Sequence, residues 1–122
     1  MITYPASTHG KTSKTNYTIL ENKMTLDGLI TSTAIWHRDR NLIDGATDKD
    51  QVCKLIQEVG ELSDNVCKGK DVKDDIGDCL VVLINIAERN GTTIRECLEV
   101  AYNDIKDRKG VMKDGIFIKE EQ

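Results

Sequence analysis

Along most of the chain, hydrophobic and polar positions alternate with the period of an α-helix. From residue 25 onward, apolar side chains recur at steps of three and four residues, the spacing of one helix face. Segments holding Gly, Asn or Asp interrupt this pattern near residues 44–45, 68–71 and 90–91. The pattern therefore predicts four helices joined by short loops, an all-α four-helix bundle.

Helix-start and turn signals agree with this division. Three polar residues stand where a helix N-cap is expected: Thr47, Asp71 and Thr93. An acidic residue follows each threonine three positions later, as in a capping box. Gly110 is predicted to end the fourth helix. Asp114-Gly115, directly before an apolar triplet, indicates a short hairpin in the tail.

The third predicted helix is apolar nearly all round. Between Cys79 and Ala87 its sequence offers no continuous polar face. A helix of this kind is buried on every side. In a chain of 122 residues, this predicts burial against another subunit, and hence a homodimer or homotetramer.

The chain divides into three predicted parts. Residues 1–24 are polar, carry a charge of +2 (three Lys, one Glu) and show little periodicity, which predicts a flexible N-terminal arm. Residues 25–110 form the helical domain, and residues 111–122 form a short C-terminal tail.

Charge excludes some partners. The chain holds 21 acidic and 17 basic residues, for a net charge of −4. Because a nucleic-acid backbone is bound through positive surface, a nucleic-acid polymer is not an expected partner. No apolar run reaches the roughly 18 residues that a membrane span needs, and the polar N-terminus lacks the apolar core of a signal peptide.

Cysteine spacing favours a reducing compartment. The four cysteines lie 14, 12 and 18 residues apart, with no C-x-x-C pair. This spacing favours neither a zinc site nor a disulfide framework, and each cysteine falls in or beside a helical apolar pattern. A cytoplasmic protein is therefore predicted.

Two acidic pairs stand out in the second and third predicted helices. Glu58 with Glu61, and Asp75 with Asp78, each share a helix face because they are three residues apart. If these helices are antiparallel about Gly69, all four carboxylates lie within about one turn of the same height. Oxygen ligands of this kind suit Mg²⁺ or Mn²⁺.

Spacing alone leaves a second interpretation open. The same acids can form a solvated seam, neutralised by three nearby lysines: Lys68, Lys70 and Lys73. Against the seam stands the position of Asp75 and Asp78, directly before the most apolar helical run. Charges beside a buried run usually have a partner.

The sequence around these pairs resembles a known family. The segments 57–62 (QEVGEL) and 74–80 (DDIGDCL) are similar to the paired E-x-x-E and E-x-x-D motifs of MazG-like nucleotide pyrophosphohydrolases, in the all-α NTP pyrophosphatase superfamily. Segment 36–42 resembles the aromatic-His-x-x-Arg-Asn-Leu segment on the first helix of dCTP-pyrophosphatase-like members, and segment 103–109 is similar to the Asn-, Lys- and Arg-rich end of the family's fourth helix. Asp75 stands where the family usually has Glu, and Gln57 replaces a frequent second Glu.

This resemblance implies Mg²⁺-dependent cleavage of a nucleoside triphosphate to a monophosphate and pyrophosphate. The implied metal ligands are Glu58, Glu61, Asp75 and Asp78. A metal ion neutralises the triphosphate and lowers the pKa of a bound water. A carboxylate of Glu58 or Glu61 that is free of metal is the expected proton acceptor.

Further residues are expected to bind substrate: Trp36, His37, Asn41, Lys54, Asn103, Lys106 and Arg108. Trp36 would stack on the base, with the neighbouring polar groups at its edge, unless Trp36 is a core residue. Lys54 would reach a phosphate or instead form an i,i+4 ion pair with Glu58. The basic residues after position 105 would hold phosphates or simply complement the helix dipole.

A second function class remains open at this point. The helical domain can equally be a non-catalytic interaction module that assembles through its apolar third helix. A carboxylate-bridged di-iron bundle is not favoured, since it requires Glu-x-x-His pairs and the sequence contains none.

Overall fold

The computed structural model describes residues 23–121, so most of the predicted flexible arm lies outside the described residues. Four helices follow in order: α1 Leu26–Asp39, α2 Asp48–Cys67, α3 Lys73–Arg89 and α4 Ile94–Ile105. A hairpin of two antiparallel strands, β1 Gly110–Lys113 and β2 Ile116–Lys119, comes after them. The four predicted helices and the predicted hairpin are confirmed.

Side-chain caps explain where α2 and α4 begin. Thr47 Oγ1 accepts a hydrogen bond from the Asp50 backbone at 3.1 Å, and Thr93 forms a complete capping box with Glu96. The prediction for Asp71 was wrong by one residue, because Val72 occupies the N-cap of α3. Asp71 Oδ1 instead accepts from the Lys73 backbone at 3.2 Å and closes the turn that leads into the helix.

Two predicted helix ends were wrong. Helix α1 ends at Asp39 rather than near residues 44–45, because Asn41 adopts the left-handed conformation with φ 58°. The chain then turns and buries Ile43. Helix α4 ends at Ile105, and Gly110 begins β1, where a Cβ atom would collide with the backbone of the opposite strand.

Helix α3 lies at the centre of the bundle. It packs most extensively on α2, and α1 and α4 also contact it. Helices α2 and α3 form an antiparallel hairpin whose turn includes Gly69 at φ 70°. The buried apolar side chains lie on α1, α3 and the turn after α1: Ala34, Ile43, Val82, Ile84 and Ala87.

This central position accounts for the apolar run of α3. Val82, Ile84 and Ala87 are buried within the chain itself, so the run does not by itself require a second subunit. Leu80 and Val81 of the run are nevertheless exposed, as are apolar side chains along α1, α2, α4 and the hairpin. Among the residues that the structure describes, no helix is long and apolar enough to cross a membrane.

Candidate active site

Two carboxylates are buried on the paired helices α2 and α3. Glu58 and Asp75 are each 8% exposed. Each has one polar partner on α2: Lys54 Nζ lies 3.0 Å from Glu58 Oε2, and Asn65 Nδ2 donates to Asp75 Oδ2 at 2.9 Å. Of the two roles weighed for Lys54, the ion pair is therefore present.

Asp78 completes a group of acidic side chains that act on one another. Desolvation raises the pKa of Asp78, and the negative charges of Asp74, Glu58 and Asp75 raise it further. Lys54 partly opposes this rise. The three predicted ligands Glu58, Asp75 and Asp78 therefore form one electrostatic cluster between α2 and α3, which we call the acidic cluster.

Glu61 lies at the margin of this cluster. Its side chain is exposed. Its negative charge acts on Lys54: the pKa of Lys54 is raised mainly by the hydrogen bond to Glu58, and the charges of Glu61 and Asp78 raise it further. Lys54 is thus a counter-charge for acids on both helices. Within residues 23–121, no three acidic, His or Cys side chains are arranged as a group that could hold a metal ion.

The acidic cluster nevertheless matches a hard cation in its chemistry. Its donors are carboxylate oxygens from two facing helices, the ligand type that Mg²⁺ and Mn²⁺ prefer. Two of these carboxylates are buried, where a charge without a counter-ion is unfavourable. Asp75 offers a short carboxylate, and Asn65 orients it.

Removing one charge from the acidic cluster should stabilise the metal-free protein. Asp78 lies three and four residues after Asp75 and Asp74, and each like-charge pair at such spacing costs a helix about 0.2–0.5 kcal/mol. Asp78→Asn should therefore raise the melting temperature by about 2–5 °C in EDTA at neutral pH. Asp104→Asn, which removes an acid outside the cluster, is the control. An Asp78→Asn protein that melts below the wild type would contradict mutual repulsion.

A buried polar network lies between α1 and α3. Asn85 is fully buried, and its Nδ2 donates to the Leu42 carbonyl at 2.8 Å and approaches His37 Nδ1 at 3.2 Å. His37 Nε2 lies 3.0 Å from the Val81 carbonyl. Since a carbonyl only accepts, these partners place the His37 proton on Nε2 and leave Nδ1 as an acceptor. His37 is therefore held neutral and buried.

The network predicts a pH dependence of stability. Burial lowers the pKa of His37 below 6.5, although the Val81 carbonyl and the Glu88 charge oppose this shift. The unfolded chain therefore binds a proton that the folded chain excludes, so folding should weaken as pH falls below 6.5. Urea unfolding at a series of pH values from 8 downward measures this. The difference in unfolding free energy between wild type and His37→Gln should shrink as the pH falls. A difference that stays constant with pH would contradict a buried, neutral His37.

The other predicted base-binding residues have local partners. Trp36 is half-buried, contacts His37 edge-on with ring centroids 5.3 Å apart, and lies under the Arg40 guanidinium at 4.3 Å. Asn41 is exposed in the turn after α1, where its side chain fills the space beside Gly45. The structure therefore brings Trp36 and His37 together and leaves Asn41 in a turn.

The predicted phosphate-binding residues after α3 form a separate group. Asn103 and Arg108 line an open cavity of about 430 Å³, together with acidic residues and Lys119. Arg108 Nη2 lies 3.0 Å from Asp104 Oδ2, and Lys106 is the exposed C-cap of α4.

Two asparagines of these sites were missed from the sequence. Asn65, which orients Asp75, follows Glu58 by seven residues and so shares its face of α2. Asn85 is the polar amide within the apolar run of α3. Both asparagines could have been predicted to form buried hydrogen bonds, because an amide on the apolar side of a helix usually has a buried partner.

Comparison with known proteins gives one partial relative. A protein of Haemophilus phage HP1 (strain HP1c1), described as an uncharacterized 18.2 kDa protein in the rep-hol intergenic region, is 43% identical over 67 residues. The matched part is 53% of this chain and 41% of the phage protein, so the chain spans about two fifths of that relative's length. No protein-family model and no solved structure matches.

Proposed function

We propose that the protein is a MazG-like pyrophosphohydrolase, which uses a divalent cation at the acidic cluster to cleave nucleoside triphosphates to monophosphate and pyrophosphate. The observation that carries this proposal is that Glu58 on α2 and Asp75 on α3 are both buried and that the charges of both raise the pKa of Asp78. Buried acids that repel one another destabilise a fold, so their presence favours a function that uses them. The resemblance of segments 57–62 and 74–80 supplies the reaction class.

Glu58, Asp75 and Asp78 would hold Mg²⁺ or Mn²⁺, with Glu61 at the margin. When bound, the ion neutralises phosphate charge and acidifies a coordinated water. The carboxylates that do not contact the ion accept the proton of the attacking water, the role we assign to Glu58 or Glu61. Asn65 keeps Asp75 in position through its 2.9 Å hydrogen bond.

Lys54 has a dual part in this proposal. In the structure it neutralises Glu58, and a cation at the cluster would compete with it for that carboxylate. Released from Glu58, the Lys54 ammonium, which lies within the field of Glu61 and Asp78, would be free to pair with a phosphate. In this proposal Trp36 supplies an aromatic face for a base, and Lys106 and Arg108 supply positive charge for the phosphates.

A substrate panel tests the proposed activity. Purified protein is incubated with each ribo- and deoxyribonucleoside triphosphate, with Mg²⁺ and separately with Mn²⁺, and pyrophosphate is measured. We expect pyrophosphate release from at least one nucleotide that exceeds release by Glu61→Ala. Equal release by wild type and Glu61→Ala on every nucleotide with both metals would reject the enzyme.

A second function, a non-catalytic assembly module on the same bundle, is favoured by the many exposed apolar side chains of α2, α4 and the hairpin. On either proposal the protein forms a homodimer or homotetramer. Light scattering at micromolar concentration tests assembly, and the substrate panel separates the module from the enzyme. A monomeric enzyme and an inactive oligomer are thus distinguishable results.

A further inference from the structure

The Arg40 guanidinium covers one face of the Trp36 indole. Its Cζ lies 4.3 Å from the ring centroid, and its Nη1 donates to the Trp36 carbonyl at 3.1 Å, which holds the side chain back along α1. Arg40 is exposed while Trp36 is half-buried, so the covered face is one that opens to solvent. The aromatic face proposed for a base is therefore covered by a cation.

The indole is anchored to the part of α3 that also carries the acidic cluster. His37, the next residue, donates to the Val81 carbonyl at 3.0 Å, and Val81 follows Asp78 by three residues, about 4.5 Å along the helix axis. The Trp36 ring meets the His37 ring edge-on, with centroids 5.3 Å apart. One part of α3 therefore holds both the group to which the proposed function assigns the base and a group to which it assigns the metal-bound phosphates.

A nucleobase can take the place of Arg40 on the indole. A cation–π contact at an exposed site is weak, and the stacking of a base on an aromatic side chain is at least as favourable. The guanidinium that leaves the ring loses this contact and needs another partner. Phosphate oxygens fit its planar fork of N–H donors, which can bind them through two parallel hydrogen bonds.

This exchange separates nucleotides from nucleosides. A nucleoside gains the stack but offers the displaced guanidinium no anion, whereas a triphosphate supplies both a base and phosphates. The chain has a net charge of −4, so a polyphosphate that approaches it depends on cations such as Arg40. We infer that Arg40 is a specificity-determining residue, which covers the Trp36 indole and yields it to phosphorylated nucleotides in preference to nucleosides, an inference that rests on the base-binding part of the proposed function.

The fluorescence of Trp36, the only tryptophan of the chain, reports this exchange without any turnover. The full-length wild type, Arg40→Gln and the control Arg38→Gln are titrated with the four ribonucleosides and with their α,β-imido triphosphates, in the presence of Mg²⁺. Arg38→Gln removes the same charge from α1, at a side chain that pairs with Glu88. The ratio of the nucleoside Kd to the triphosphate Kd is compared among the three proteins.

We expect the wild type to bind at least one triphosphate more tightly than its nucleoside. Arg40→Gln should lower that ratio of Kd values at least about tenfold, because it weakens triphosphate binding while it uncovers the indole for the nucleoside. Arg38→Gln should keep the ratio within about twofold of wild type. An unchanged ratio in Arg40→Gln, or an equal loss in Arg38→Gln, would overturn the inference.

Wild-type fluorescence that no probe changes would overturn it as well. The proposed activity is decided separately, by the release of pyrophosphate. Binding without release would reject the activity and keep the inference, whereas release without any change at Trp36 would do the reverse.

Acrylamide quenching tests the covering of the indole directly, even if Arg40→Gln binds no probe. This neutral quencher should act more strongly on Trp36 in Arg40→Gln than in the wild type or in Arg38→Gln, because the indole face is then open to solvent. Equal quenching in all three proteins would show that the Arg40 guanidinium does not cover the indole, and would refute the inference.

Discussion

Glu58→Gln is expected to lower the rate of pyrophosphate release by about 10²-fold or more, the usual contribution of a positioned proton acceptor. The substitution keeps the side-chain shape and an oxygen that can accept from Lys54, so the 8% exposed site stays filled. It removes the charge needed for a cation or for a proton. Steady-state kinetics at saturating Mg²⁺ on the best substrate of the panel measures the effect.

Asp64→Asn is the matched control for this experiment. Asp64 is exposed on the same helix and pairs with Lys68 at 2.8 Å, an interaction worth little at a surface. Its kcat should stay within about twofold of wild type. If Glu58→Gln and Asp64→Asn lower kcat equally, Glu58 has no special part and the proposed site is wrong.

Asn85→Ala is expected to lower the unfolding free energy by about 2–4 kcal/mol. It deletes the hydrogen bonds to the Leu42 carbonyl and to His37, leaves both groups unpaired and opens a cavity in the core. For a domain of this size the melting temperature should fall by about 10–20 °C. Calorimetry at one fixed protein concentration measures the change.

The companion variant Asn103→Ala removes an amide from an exposed position of α4 and should change stability by less than about 0.5 kcal/mol. The contrast between the two asparagines tests whether burial of the amide network matters. An Asn85→Ala protein as stable as Asn103→Ala would contradict the structural role given to the network.

Helices and their caps could be predicted from the sequence because they depend on local chemistry. Thr47 and Thr93 act within three residues of themselves, and the valine and leucine spacing of α2 reports a helix directly. The end of α1 could not be predicted in this way. The left-handed turn at Asn41 returns Ile43 to the core, and apolar spacing alone cannot separate that turn from one more helical turn.

The acidic cluster was predictable in part for the same reason. The spacing of three residues predicted that Glu58 and Glu61 share a site, but Glu58 is buried while Glu61 is exposed. That difference depends on how α2 rotates against α3, which no local pattern specifies. The burial of Val82, Ile84 and Ala87 within one chain likewise depends on tertiary packing, and the predicted homodimer or homotetramer stays a prediction.

The most direct test of the central claim is binding of Mn²⁺ to the acidic cluster. Titration of the protein with Mn²⁺, followed by the paramagnetic resonance signal of the free ion, compares wild type with the double variant Glu58→Gln, Asp78→Asn. We predict that wild type depletes the free signal in a saturable way, that Mg²⁺ restores the signal, and that the double variant depletes it far less. Equal depletion by both proteins, or none by the wild type, would contradict a divalent-cation site between α2 and α3.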